Sequence, residues 1–172
     1  DFITVTTDPI DESIWAGSFG GGLLHIKKDN TAEVFKQNSP LRAPFGDPGS
    51  YRVSGLAFDN ENNLWVSNFG AVQPLHVRKT DGNWKSFSIP FNLFGDAVSQ
   101  ILIDDNNYKW IVSPLGNGLI CFNDNNTIDN IADDRWKIYR GGAGNGNLPT
   151  GEVFCAVKDK EGFIWIGTAD GI

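Results

Sequence analysis

Methionine is absent from the 172 residues, and cysteine and histidine occur only twice each. Two distant cysteines supply neither a disulfide framework nor metal-ligand spacing, so no metal and no cofactor is expected. Basic residues are in the minority, 14 against 21 acidic ones, for a net charge of −7. That balance opposes binding to phosphate backbones, and no nucleic-acid partner is expected. No apolar run approaches the roughly 18 residues of a membrane helix, so no transmembrane segment is expected. No stretch carries a sustained helical period. There is no Met at the start and no signal-like leader: the chain opens on Asp1-Phe2-Ile3-Thr4-Val5 and stops at Gly171-Ile172. Both ends read as strand edges, so the sequence reads as an internal piece of a longer protein, truncated at both ends, with any targeting segment elsewhere.

Aromatic residues and turn formers are plentiful: six Trp, three Tyr, twelve Phe, twenty Gly and eight Pro. So many rings need a core, which argues against disorder. Four of the tryptophans, Trp15, Trp65, Trp110 and Trp165, recur at spacings of 50, 45 and 55 residues. Asp59, Asp104 and Asp159 each stand six residues before their Trp, and Asp8 stands seven before Trp15. A strand-like run precedes each Asp, and further apolar runs follow each Trp across Gly-containing turns. The unit is therefore about 50 residues long and holds four short strands, which is the period and content of a propeller blade. The expected fold is all-β: a β-propeller fragment of about three and a half four-stranded antiparallel blades. Residues 1–172 divide into blades at about 1–40, 53–90 and 98–141, with a half blade at 153–172. The tryptophans should fill equivalent, mostly buried wedge positions. The aspartates should cap the hairpin turns that follow them. With its first and last sheets each leaving a face uncovered, the chain alone is expected to be poorly stable or to self-associate.

The segment Lys160-Glu161-Gly162-Phe163-Ile164-Trp165-Ile166-Gly167-Thr168-Ala169-Asp170-Gly171 resembles the two-component-regulator type of propeller repeat, and Asp59 to Phe69 and Asp104 to Gly118 match it too. Asp8 to Leu24 carries one extra residue before Trp15. Longer stretches, Leu64 to Ala71, Pro74 to Arg78 and Lys109 to Phe122, resemble the PorZ-like propeller family of the Bacteroidetes type IX secretion system. The resemblance implies an extracytoplasmic protein, at the cell surface or in the periplasm, with protein partners in a surface secretion complex. It further implies presentation of anionic lipopolysaccharide to a sortase-like transpeptidase, without catalysis by the propeller itself. The alternative is the periplasmic oligosaccharide-sensing propeller of a hybrid two-component histidine kinase.

The residues themselves give little chemistry. His25 and His76 fall about ten residues after a blade Trp, where Cys121 falls in the third unit, and all three read as one packed repeat position. Cys155, on an innermost strand, reads as a small buried thiol. No Gly-x-Ser-x-Gly elbow marks a nucleophile, and no paired carboxylates converge. No catalytic residue is assigned and the chain reads as not an enzyme. Asp59 to Asn63 lacks the glycine and closing glutamate of a calcium loop, and Asn123 to Asp134 reads as a longer acidic insert within the third blade, with calcium expected at neither. A binding surface remains. The stretch Leu41 to Arg52 sets Arg42, Phe45, Tyr51 and Arg52 among prolines and glycines. Flat rings and Arg forks suit sugars with acidic groups. Arg140 and Asn145, in and beside the glycine-rich segment Gly141 to Asn147, are expected nearby. A loop that simply packs on its neighbour is the competing reading.

Overall fold

The computed structural model describes residues 1–172 and is all-β, a partial β-propeller of antiparallel sheets. Its only helical segments are two three-residue 3-10 turns, Phe94–Asp96 and Ile131–Asp133. The chain divides into two compact units, Asp1–Ile89 and Pro90–Ile172.

The first unit holds two four-stranded meanders. Strands β1 (Phe2–Thr7), β2 (Ile14–Gly20), β3 (Gly22–Ile26) and β4 (Ala32–Phe35) pair in sequence order, as do β5 (Tyr51–Phe58), β6 (Leu64–Asn68), β7 (Leu75–Arg78) and β8 (Trp84–Phe87). The two meanders are stitched by a short β2–β5 ladder, Phe19 opposite Arg52 and Gly20 opposite Tyr51. Tyr51 and Arg52 therefore open a strand, although the loop-like sequence before them suggests a longer irregular segment. Between the meanders lies a core of Trp15, Leu23, Phe35, Leu41, Val53, Leu56, Leu64 and Val66, with Tyr51, Phe58 and Trp84 packed on it. Burial of such side chains is worth about 1.5–3 kcal/mol each.

The second unit repeats the meander once and begins it again. Strands β9 (Ile101–Ile103), β10 (Lys109–Ser113), β11 (Gly118–Asn123) and β12 (Arg135–Tyr139) form one sheet. Strands β13 (Val153–Lys158) and β14 (Ile164–Thr168) form a two-stranded sheet. Val112, Leu119, Val153 and Ala156 form the core between them. The Gln100 side chain spans the same gap, donating from Nε2 to the Ala156 carbonyl at 2.8 Å and accepting from the Ala156 N–H at 2.9 Å.

Repetition reaches down to backbone detail. A bulge falls at the same place in the first strand of three units, between Phe2 and Thr4, Val53 and Gly55, and Val153 and Cys155. The tryptophans hold equivalent registers: Trp15 opposite Thr6 and His25, Trp65 opposite Ala57 and Val77, Trp110 opposite Leu102 and Cys121, Trp165 opposite Val157. Their burial is not equivalent. Trp15 and Trp65 are buried and Trp110 is partly so, whereas Trp165 is 52% exposed. Phe154, Val157 and Phe163 are also exposed, as are Phe2, Ile3 and Val5 on β1. Cys155 shares this exposure, which corrects the expected buried thiol: it stands on the two-stranded β13–β14 sheet opposite Gly167, which has no side chain to cover it.

The two histidines do not share one repeat position. His25 lies opposite Trp15, as Cys121 lies opposite Trp110, but His76 lies opposite Val66 and Val77 takes the place across from Trp65. The residue opposite the blade Trp is ten on in the first unit and twelve on in the second, so His76, eleven on, sits one residue out of that position and on the other face of the sheet.

Candidate functional site

The turn between the first two strands of each unit is built around its aspartate. Asp59 Oδ1 accepts the backbone N–H groups of Glu61 at 3.0 Å and Asn63 at 2.8 Å. Asp104 does the same for Asn106 and Tyr108, and Asp159 for Glu161 and Phe163. The third residue after each Asp has a positive φ: Asn62 at 65°, Asn107 at 65° and Gly162 at 87°. Only Gly, and more weakly Asn or Asp, occupies that region without strain, which explains the Asn/Gly choice there. The second carboxylate oxygen performs a task that sequence spacing does not announce. It accepts the indole N–H of the Trp six residues on, at 2.8 Å for Asp59–Trp65, 2.8 Å for Asp104–Trp110 and 2.6 Å for Asp159–Trp165. The Trp165 indole and the turn N–H groups hold the Asp159 carboxyl below the usual carboxylate range.

The first unit departs from the pattern. Its extra residue puts Glu12 in the positive-φ position, at 61°, four residues after Asp8. Asp8 Oδ1 accepts from the N–H groups of Ile10 and Asp11 and from Asn62 Nδ2. The Trp15 indole N–H is left buried with no partner. His25 stacks on the Trp15 ring at 3.8 Å, with its Nε2 2.9 Å from Ser13 Oγ, and burial lowers its pKa.

The six residues read as ligand-binding fall in different surroundings. Phe45 is fully exposed at the tip of the loop between β4 and β5. Arg42 is exposed, and its Nη1 donates to the carbonyls of Leu41 at 3.0 Å and Ser39 at 3.4 Å. Its backbone N–H donates to Asn68 Oδ1 at 2.7 Å, which anchors the loop to β6. Arg52 is engaged internally: its Nη2 pairs with Asp47 Oδ2 at 2.8 Å and its guanidinium lies 5.1 Å over the Phe19 ring. Tyr51 is half-buried against the core. In the second unit, Arg140 follows β12 and donates from Nε to the Asn117 carbonyl and from Nη2 to the Asn92 carbonyl. Asn145 is exposed, and its carbonyl accepts the Arg140 backbone N–H. Arg42 and Phe45 thus combine an exposed cation with an exposed ring, while Tyr51, Arg52 and Arg140 are tied into the fold.

Within the acidic segments many of the carboxylates bond to neighbouring residues. In the insert before β12, Asp133 accepts from Thr127 Oγ1 and Asn125 Nδ2. A buried ion pair there carries no signal in the repeat: Lys109 Nζ, fully buried in the place of an apolar strand residue, meets Asp124 Oδ1 at 2.6 Å. Burial and the nearby Asp104 push the Cys121 thiol up to about 11, so it is not a ready nucleophile.

These features define a propeller-type domain close to two-component-regulator propeller repeats. The family described as two component regulator propeller matches residues 147–170. The domain is structurally close to PorZ, a surface component of the type IX secretion system of Porphyromonas gingivalis, with a TM-score of 0.82 and 25% identity over 99% of this chain. The chain spans only 24% of the length of that protein. The extracellular domain of a protein described as a hybrid two component system from B. thetaiotaomicron is similar over 99% of this chain and 27% of its own, at 19% identity and a TM-score of 0.62. None of the curated proteins matches the chain by sequence. The architecture is therefore one used in secretion-related and sensor proteins, and it resembles propeller domains that lie outside the cytoplasm. No helix is long and apolar enough to cross a membrane.

The expectation that the chain is not an enzyme is corrected by a further likeness. Virginiamycin B lyase from Staphylococcus aureus matches 98% of this chain and 49% of its own, at 12% identity and a TM-score of 0.70. At that identity the likeness is one of fold, and it shows that this fold houses catalysis as well as binding.

Proposed function

We propose that the chain is part of an extracytoplasmic binding propeller in a surface secretion complex, and that it engages an anionic glycan such as lipopolysaccharide through the loop bearing Arg42 and Phe45. The likeness to PorZ over 99% of the chain supports the context. The single observation that carries the ligand class is the pairing on one anchored loop of a fully exposed Phe45 with an Arg42 whose hydrogen bonds go only to carbonyls. A guanidinium bound to neutral acceptors keeps its charge available for a carboxylate or phosphate, and a free ring face suits sugar C–H groups. Tyr51 and Arg52 serve this reading as supports. Arg52 in particular ties Asp47, and with it the loop, to β5. Protein partners, among them a sortase-like transpeptidase, belong to the same proposal.

A second reading is a sensor propeller that binds oligosaccharides in a two-component receptor, and the repeat family matched at residues 147–170 favours it. Titration of purified anionic lipopolysaccharide and of neutral oligosaccharides against the full-length protein separates the two. The first reading expects binding of the anionic glycan that weakens with salt and falls about tenfold in Arg42→Ala and Phe45→Ala. Salt-insensitive binding of neutral sugars that depends on Phe45 alone supports the second. An anionic glycan bound equally by parent and both variants removes this loop from the site.

A further inference from the structure

A second place in the first unit has the makings of a ligand site, away from the loop just described. A cavity of about 360 Å³ lies where the Asp8 turn, the Asn62 turn and the end of β7 meet, lined among others by Trp15, Asn62 and Arg78. Each of these three residues carries a buried polar atom with no partner: Trp15 Nε1, Asn62 Oδ1 and Arg78 Nε. Trp15 is only 2% exposed, so its N–H has no easy recourse to bulk water. A buried donor without an acceptor costs about 1–3 kcal/mol, and native structures rarely leave several around one cavity without a reason.

The repeat shows what the indole lacks. In the other three units a carboxylate oxygen accepts that N–H at 2.6–2.8 Å. Here the extra residue between Asp8 and Trp15 withdraws the carboxylate into its own turn. The Arg78 guanidinium lies over the Trp15 ring, 5.3 Å from its centroid, and lines the same cavity. The faces of Trp15 are already covered by His25 and Arg78, so an occupant must be recognised by its polar edge and not by stacking. Asn62 Oδ1 adds one acceptor, which asks for a donor on the ligand.

We infer that this cavity binds a small carboxylate that also carries a hydrogen-bond donor, its carboxylate taking the indole N–H that Asp8 leaves free and the unpartnered Arg78 Nε–H, and its donor reaching Asn62 Oδ1. The volume suits one uronic acid unit or one amino acid, which share this chemistry.

The test uses the full chain labelled with 15N and the six indole N–H signals in NMR, with glucuronate, alanine, glucose and acetate as separate probes. The expected result is a shift of the Trp15 signal by glucuronate or alanine, with Trp65 unmoved as an internal control of fold. Glucuronate alone acting identifies a sugar acid; alanine alone identifies an amino acid. Acetate should bind more weakly for want of the donor, and glucose should leave Trp15 unchanged. Arg78→Gln should weaken binding about tenfold or more, with Trp65 reporting that the unit remains folded. Asn62→Gly, compatible with its positive φ, should erase the advantage of the donor-bearing probes over acetate. The inference is overturned if no carboxylate shifts Trp15, or if glucose shifts it as much as glucuronate does.

Discussion

Asp159 Oδ2 accepts the indole N–H of Trp165 at 2.6 Å although that ring is 52% exposed. The clasp is therefore local: a four-residue turn with a left-handed third position brings carboxylate and indole together without a core to press them. Where the turn has one residue more, between Asp8 and Trp15, the clasp is missing even though Trp15 is buried. Turn length, and not burial, decides whether it forms.

That relationship predicts a graded response to removing the aspartates. Asp59→Ala deletes the acceptor for two turn N–H groups, for Asn63 Nδ2 and for the indole of a fully buried Trp65. It should destabilise the first unit by about 2–4 kcal/mol, because the donors left behind are buried. Asp8→Ala frees two exposed turn donors and one part-buried contact with Asn62, and should cost about 1 kcal/mol. Denaturant unfolding followed by tryptophan fluorescence provides the comparison. Equal losses for the two variants would mean that the indole bond contributes nothing to stability.

A second prediction concerns Lys109 and Asp124, a pair with both side chains fully buried. Removing one partner strands a charge in the interior, whereas replacing both can be neutral. Lys109→Leu should lower stability by about 3–5 kcal/mol. Adding Asp124→Asn, which still accepts the Asn126 N–H that Asp124 now takes, should recover most of that loss. The double variant measured beside both single ones decides the matter: additive losses would show that the two residues act independently.

The fold was legible because its signals are local and repeated. The Trp spacing, the Asp before each Trp and the Asn or Gly at the left-handed turn position each mark a hairpin that the structure contains. What escaped depends on register and on chain connections. His76 reads like His25 by counting from the tryptophan, yet it sits one residue out of that position and on the opposite face. Lys109 stands where Ile14, Leu64 and Ile164 stand, and nothing in its own strand shows that Asp124, fifteen residues on, comes to meet it. Of the candidate binding residues, Arg42 and Phe45 are exposed, but the engagement of Arg52 with Asp47 and Phe19 follows from the β2–β5 ladder, a pairing between meanders that no local pattern encodes.

The last prediction follows from His76. Its ring is fully buried, with Nδ1 2.8 Å from Ser86 Oγ and Nε2 without a partner. Burial, aided by the positive charge of Arg42, lowers its pKa from 6.5 to about 4. Because the folded state holds the neutral ring, the unfolded chain binds the extra proton first as pH falls. The stability due to the neutral ring is fully present above about pH 6.5 and is lost progressively down to about pH 4, below which both states are protonated. Over that window the first unit should lose about 3 kcal/mol through this group. Carboxylates and His25 also titrate on the way down, so the measurement is a difference: unfolding midpoints of parent and His76→Gln between pH 7.5 and pH 4, with glutamine retaining a bond to Ser86 without titrating. The curve for the variant should be flatter, with the separation changing mainly between pH 6.5 and pH 4. Parallel curves across that range would show that His76 takes up its proton as readily in the folded protein as in the unfolded chain.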